Sequence, residues 1–243
     1  MQTVHPAASA DMDKPSKKYS GTENLEVMAE ARRYNEYLLS LVLAYKGGAD
    51  KLVDFGAGAG TFTQPLHELG HDIVAVEPDN ELRETISSRG IPAVASLDAL
   101  QDNSLSFVYT LNVLEHIEDD LTILKLLRRK LCPGGSVLIY VPAFQVLFTS
   151  MDRKVGHLRR YTRAQLRQRL TEAGLEVEEL RYVDFMGFFA TLFFKLFDRG
   201  EGTINKRALI LFDRVVFPVS LVLDKIFSSV LGKNVLAVAR RTT

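Results

Sequence analysis

The chain has a single cysteine, Cys132, and no tryptophan among its 243 residues. One cysteine excludes an internal disulfide and any cysteine cluster that would hold a metal, and no metal site is expected. A reducing compartment fits, so the expected location is the cytoplasm. An excess of charge of either sign is also missing, because 30 basic and 30 acidic residues balance. That balance gives no reason to expect a polyanion as principal partner, so nucleic acid is disfavoured while local basic patches remain open. The first twenty residues lack the apolar core of a signal peptide. They form a polar tract of Ala, Ser, Lys and Asp, and residues 1–21 read as a disordered lead. No internal repeat or low-complexity segment interrupts the rest.

What is present is organised around Lys51-Leu-Val-Asp-Phe-Gly-Ala-Gly-Ala-Gly-Thr61. An apolar run ending in Asp54 reads as a buried strand, and Gly56, Gly58 and Gly60 make a turn without side chains on its inner side. Thr61–Leu69 reads as a helix, so the turn is expected to present free N–H groups and a positive dipole end to a ligand. The next apolar run, from Asp72, ends at Glu77, 21 positions after Gly56. An acid there is placed to meet a ribose hydroxyl in a βαβ nucleoside site.

Around this centre the chain alternates. Strand-like runs at 51–55, 72–77, 92–95, 105–111, 136–141 and 175–183 are separated mostly by amphipathic stretches at 61–69, 80–88, 118–131 and 162–173. A leading helix is expected over Thr22–Lys46, stopped by Gly47-Gly48. Such alternation implies an α/β fold with a doubly wound, largely parallel sheet. A last strand, Asn234–Arg240, follows some fifty residues after the preceding one. The intervening stretch holds nine of the fourteen phenylalanines, with Phe185, Phe188, Phe189, Leu192, Phe193 and Leu196 on one helical face. Its uncharged runs of about ten residues are too short for a membrane span, which needs roughly 20. The expected division is a cofactor-binding core over 22–183, a helical insert over 184–233 and a closing core strand over 234–243.

Asp54-Phe-Gly-Ala-Gly-Ala-Gly60, Glu77, Leu111-Asn-Val-Leu-Glu-His-Ile117 and Leu131-Cys-Pro-Gly-Gly135 together resemble the motif series of class I S-adenosylmethionine-dependent methyltransferases. The order and spacing match across about 51–141. A narrower resemblance covers 23–34 and 141–162. There Pro142-Ala143, Asp152 and Gly156-His-Leu-Arg-Arg-Tyr-Thr162 are similar to a methyltransferase subgroup often associated with surface-glycan or lipid-linked sugar genes. The family implies a Rossmann-like seven-stranded sheet whose last strand is antiparallel, and S-adenosyl-L-methionine as cofactor with S-adenosyl-L-homocysteine as product. It also implies roles for individual residues. Asp54, Gly56, Ala57, Gly58 and Gly60 would hold the amino-acid end of the cofactor, and Glu77, followed by Pro78, both ribose hydroxyls. Ser96, Leu97 and Asp98 match the place of adenine contact, although Asp98 reads equally as a solvated loop carboxylate. Asn112 and Val113 match the point where methyl meets acceptor.

Methyl transfer from a sulfonium is an in-line displacement, so alignment and exclusion of water matter most, and a base is needed only where the acceptor loses a proton. His116 and His157 are the candidate bases; each also has a structural reading, in shaping the next helix or tying down a loop. Arg159, Arg160 and Tyr161, with Asp152, Tyr34 and Tyr19, are candidate acceptor-binding residues. An arginine fork suits an anionic group on the acceptor, or else an internal salt bridge. The acceptor is expected to be a small or lipophilic molecule, lipid-linked in one version, methylated at oxygen or nitrogen. The Phe-rich insert has three readings: a lid, a homodimer surface, or a patch lying on the inner membrane face. A nicotinamide-dependent oxidoreductase predicts a wider glycine spacing, and a non-catalytic cofactor-binding module remains the rival of another class.

Overall fold

The computed structural model describes residues 30–198, 200–202 and 205–242. Tyr19, the lead over 1–21 and the start of the expected leading helix lie outside the described residues. Seven strands form one sheet: β1 (Lys51–Phe55), β2 (Asp72–Val76), β3 (Ala93–Val94), β4 (Leu105–Leu111), β5 (Leu131–Pro142), β6 (Glu176–Val183) and β7 (Asn234–Arg240). Their order is 3-2-1-4-5-7-6. β1 to β5 are parallel, and β7 runs antiparallel to both β5 and β6. The carboxyl ends of β1 to β6 therefore share one edge of the sheet. The order reverses between β1 and β4, and that reversal opens a crevice where doubly wound folds bind ligands.

Alternate residues of each strand feed two cores. On one face Val53, Val108, Val137 and Ile139 meet Leu124 and Leu127 of α4 (Asp120–Lys130) and Leu166 and Leu170 of α6 (Arg163–Glu172). On the other, Leu52, Ile73, Phe107 and Tyr109 meet α1 (Arg32–Tyr45), α2 (Thr63–Glu68) and α3 (Asn80–Ser87) through Leu38, Leu41, Val42, Leu66 and Ile86. Each fully buried aliphatic side chain contributes about 1.5–3 kcal/mol, so both layers are needed to hold the sheet. The Pro-Gly-Gly turn lies inside β5, where a register shift between Leu105 and Phe107 absorbs it.

Two differences from the sequence expectations concern helices. α1 begins at Arg32, because Ala31 has a non-helical conformation and supplies no side-chain cap. Its first N–H groups are taken instead by Asp213, which accepts from Arg33 at 3.1 Å and Tyr34 at 2.9 Å. The stretch after β5 also holds an unexpected helix, α5 (Ser150–Val155), started by a capping box between Thr149 and Asp152.

The insert between β6 and β7 is helical, as expected: α7 (Phe185–Leu196), α8 (Lys206–Leu211), a π turn at Phe212–Val216, and α9 (Phe217–Phe227). Pro218 falls in the first turn of α9, where its missing N–H costs little. Carboxylates bind the insert to the core. Asp224 accepts from the Asp184 and Phe185 N–H groups at 2.8 and 2.9 Å, and Phe217 is buried against Tyr34 and Tyr37. No helix among the described residues is long and apolar enough to cross a membrane.

Candidate functional site

At the carboxyl end of β1 the glycine turn is closed by the chain itself. Gly56 and Ala57 donate to Val76 O at 2.9 and 3.2 Å, Gly60 to Ala57 O at 2.9 Å, and Gly58 to Glu77 Oε2 at 2.7 Å. The expectation of a row of free N–H groups is therefore corrected for these four, because β2 and Glu77 lie close enough to take them. The glycines also differ in what needs them. A Cβ on Gly56 would stand 2.4 Å from Val113 Cγ2, so the space above Gly56 belongs to a side chain of the next motif. Gly58 has φ +55° and nothing within 4 Å of the position a Cβ would take. That open face is the cradle in the turn.

Glu77 is buried, and its second oxygen accepts from Asp79 N at 2.9 Å. Burial raises its pKa, against the pull of the Asp79 and Gly58 N–H groups. Each carboxylate oxygen retains a second lone-pair site for a hydroxyl donor. Pro78 is exposed beside it and gives its carbonyl to Arg83. Asp54 is turned inward: it accepts from Thr63 Oγ1 at 2.6 Å, which ties β1 to α2, and burial pushes its pKa up to about 7. Of the adenine-side candidates, Ser96 is half-buried, Leu97 is in the core, and exposed Asp98 pairs with Arg129 at 3.2 Å.

At the end of β4, Asn112 adopts φ +57° and donates its N–H to Tyr140 O at 2.7 Å. Asparagine tolerates this left-handed region better than most residues, and the bend sends Val113 down onto Gly56. Tyr34 of α1 packs edge-on to Tyr140 and Phe217. Burial raises its hydroxyl far above the usual range, against the pull of Tyr140 and Asn112. It lines a pocket of about 20 Å³ with Ala31, Asp184, Phe217 and Lys233, which is room for about one water. A groove of about 380 Å³ runs beside Asp72 and Gly90. It lies at the amino end of β2, the opposite edge of the sheet from the glycine turn.

The Gly156–Thr162 segment gives the clearest corrections. Asp152, expected on the acceptor, is buried and receives Nε and Nη2 of Arg160, both at 2.9 Å. His157 Nδ1 lies 2.7 Å from the same carboxylate. Burial alone would raise the Asp152 pKa, but His157 and Arg160 hold it far below the usual carboxylate range. Arg160 is thus committed to an internal ion pair, and Arg159 is paired with Asp120 at 3.2 Å and Glu118 O at 2.8 Å. Tyr161 is buried and donates to Asp120 Oδ2 at 2.8 Å. The anion-anchor expectation gives way to the salt bridge for both arginines, and Tyr161 is a core residue. The reason is proximity: the backbone of Leu158 is bonded to Glu115 O, and Tyr161 bridges to Ala143, so the segment folds back over its own charges.

His116 and His157 do come together, with ring centroids 4.7 Å apart. Burial and then the neighbouring His157 lower the pKa of His116 to about 4, leaving it neutral at pH 7. Within 4.8 Å of both lies Glu115, which sequence reasoning passed over. It is wholly buried, neither carboxylate oxygen has a hydrogen-bond partner among the described residues, and burial pushes its pKa up to about 8. Its adjacency to His116 was a usable signal. Asp184, Asp213, Asp224 and Lys233 were also missed; only Asp184, a cap-type residue at a strand end before an apolar run, had a local signature.

A model of the methyltransferase domain family matches residues 27–180. Two curated relatives are described as uncharacterized methyltransferases. The one from Exiguobacterium sibiricum is 34% identical over 94 residues, covering 37% of this chain and 42% of the relative. The one from Schizosaccharomyces pombe is 29% identical over 147 residues, covering 52% and 53%. The matches thus span about half the length of these relatives. Among solved structures, a geranyl diphosphate C-methyltransferase from Streptomyces coelicolor, determined with Mg2+, geranyl diphosphate and S-adenosyl-L-homocysteine, aligns with TM-score 0.62. It is 15% identical and covers 98% of this chain and 91% of its own, a likeness of fold. With the motifs, the strand order and a family match over most of the chain in agreement, this protein belongs to the methyltransferase domain family.

Proposed function

We propose that the protein transfers a methyl group from S-adenosyl-L-methionine to oxygen or nitrogen of a small or lipophilic acceptor. The observation that carries this is the grouping, at one end of the sheet, of the open Gly58 face, the buried Glu77 carboxylate and the Asn112–Val113 bend. The cofactor would supply an electrophilic methyl on a sulfonium. Glu77 is suited to accept from the ribose hydroxyls with the lone pairs that Gly58 and Asp79 leave free, charge-assisted bonds of the stronger kind. Gly58 lets a ligand lie on the backbone, and the Asn112–Val113 bend fixes the wall beside it. Tyr34 and the insert exclude water from the acceptor side. Where the acceptor must lose a proton, His157 is the better placed base, because Asp152 fixes its Nδ1 and leaves Nε2 to work.

The insert packs on α1 and so acts as a lid, while its outer face exposes Phe193, Leu196, Phe197, Val222 and Ile226. That apolar face favours a lipophilic acceptor met at a membrane surface, with the glycan and lipid-linked sugar association as its context.

Titration with the methyl donor tests the cofactor reading. Wild type is expected to bind, and Glu77→Ala to lose about 100-fold in affinity, the worth of one or two charge-assisted hydrogen bonds. Equal affinity in both proteins overturns the assignment of Glu77. Incubation with methyl-labelled cofactor and fractionated extract tests the acceptor: label in the lipid or glycan fraction supports it, and label only in water-soluble small molecules overturns the lipid-linked version. Binding without turnover on any fraction favours the non-catalytic rival.

A further inference from the structure

We infer that Glu115, His116 and His157 form a binding site for one divalent first-row transition-metal ion. One carboxylate oxygen and one nitrogen from each imidazole lie within 4.8 Å of one another. The closest recorded pair, His157 Nε2 to Glu115 Oε1, is 3.7 Å apart. Bonds of about 2.0–2.2 Å in a tetrahedral arrangement set two ligand atoms about 3.3–3.6 Å apart, so this pair is near the required distance and the widest must close by about 1–1.5 Å.

Three further features point the same way. Both oxygens of Glu115 are buried and take no hydrogen bond from another described residue, which is costly for a carboxylate unless a cation or a proton compensates it. Next, each histidine has the outer partner that metal-ligating imidazoles use. His157 Nδ1 is fixed by Asp152, itself clamped by Arg160, and His116 is hydrogen-bonded to the backbone of Gly156. Finally, Arg160 is held on Asp152 by two hydrogen bonds and makes none to Glu115, so the guanidinium beside the cluster is already committed.

Two imidazoles and a carboxylate are borderline donors, which suit zinc, cobalt, iron or manganese and discriminate against calcium and magnesium. Three protein ligands leave a coordination position open. The site adjoins the Asn112–Val113 bend, so a hydroxyl on that open position would be acidified beside the methyl-transfer site. Ion binding does not depend on the cofactor reading of Gly58 and Glu77; with an ion bound His157 Nε2 is a ligand, so the role of base given to it above belongs to the ion-free protein.

The test uses the full chain, stripped with a chelator and titrated with cobalt(II) alone. Visible ligand-field bands saturating at one ion per chain are expected, together with a rise in melting temperature that grows with cobalt concentration. Glu115→Gln, which keeps the shape, is expected to weaken cobalt binding at least ~100-fold while leaving the metal-free protein as stable as wild type or more so, because an unpaired buried carboxylate has gone. Asp152→Asn, acting through His157, is expected to weaken it 10–100-fold. Absence of a saturable cobalt spectrum in wild type, or equal affinity in wild type and Glu115→Gln, overturns the proposal. All readouts are made without methyl donor or acceptor, so loss of the methyl-transfer reading would not alter them.

Discussion

The glycine turn after β1 and the Gly156–Thr162 segment after α5 carry motifs of similar density, yet the structure uses them in opposite ways. At the turn, side-chain volume is withheld: Gly58 has open space beside it, and Glu77 keeps lone pairs in reserve. In the other segment polar capacity is consumed, as Arg160, Arg159 and Tyr161 meet Asp152 and Asp120 inside the protein. A region that keeps hydrogen-bonding capacity can take a ligand; one that spends it holds the chain together. Glu115, His116 and His157 lie where the two meet, and Glu115 is the place where capacity is left over without solvent.

The sharpest way to break this contrast is at the buried ion pair. Arg160→Met is expected to cost about 3–5 kcal/mol by stranding Asp152, measured by urea unfolding, with cofactor affinity changed little if the segment is structural. Asp54 comes next. Its folded-state pKa, about 7, stands above the ordinary 3.8, so its neutral form is favoured by folding. Its contribution to stability is full below about pH 4 and is lost as pH rises through 7. Asp54→Asn is therefore expected to gain up to about 4 kcal/mol over wild type at pH 8 and almost nothing at pH 4, read from unfolding curves at both pH values. The two glycines separate packing from ligand space. Gly56→Ala should destabilise by about 1–3 kcal/mol, partly restored by Val113→Ala in a double-mutant cycle. Gly58→Ala meets only backbone strain of about 1 kcal/mol, and its larger effect should appear in cofactor titration. Smallest is Asp213→Ala, expected to cost about 1 kcal/mol through loss of the α1 cap, with faster amide exchange at Arg33 and Tyr34 as its local signature.

The sheet was legible because strand and helix periods are local properties. The runs at 51–55, 72–77 and 105–111 carry enough alternation of apolar and turn residues to place them, and the helical insert followed from its own apolar face. The start of α1 was not legible, since its cap comes from Asp213, 180 positions from Arg33. Nor was α5, whose capping box of Thr149 and Asp152 sits in a short segment without a strong apolar stripe.

For the site, the division is similar. The residues that define the glycine turn announce themselves, because Gly56, Gly58 and Glu77 act through backbone geometry and strand ends that sequence spacing already fixes. What Arg159, Arg160, Tyr161 and Asp152 do could not be read, because these side chains choose among partners that lie from 3 to 47 positions away. By itself, then, the sequence determined the fold class, the family and the position of the crevice, all consequences of local pattern. Only the tertiary structure decided which charges are paired, that Val113 rather than a ligand fills the space at Gly56, and that Glu115 is buried with His116 and His157. Pairing and burial depend on contacts between distant segments, and no local spacing encodes them.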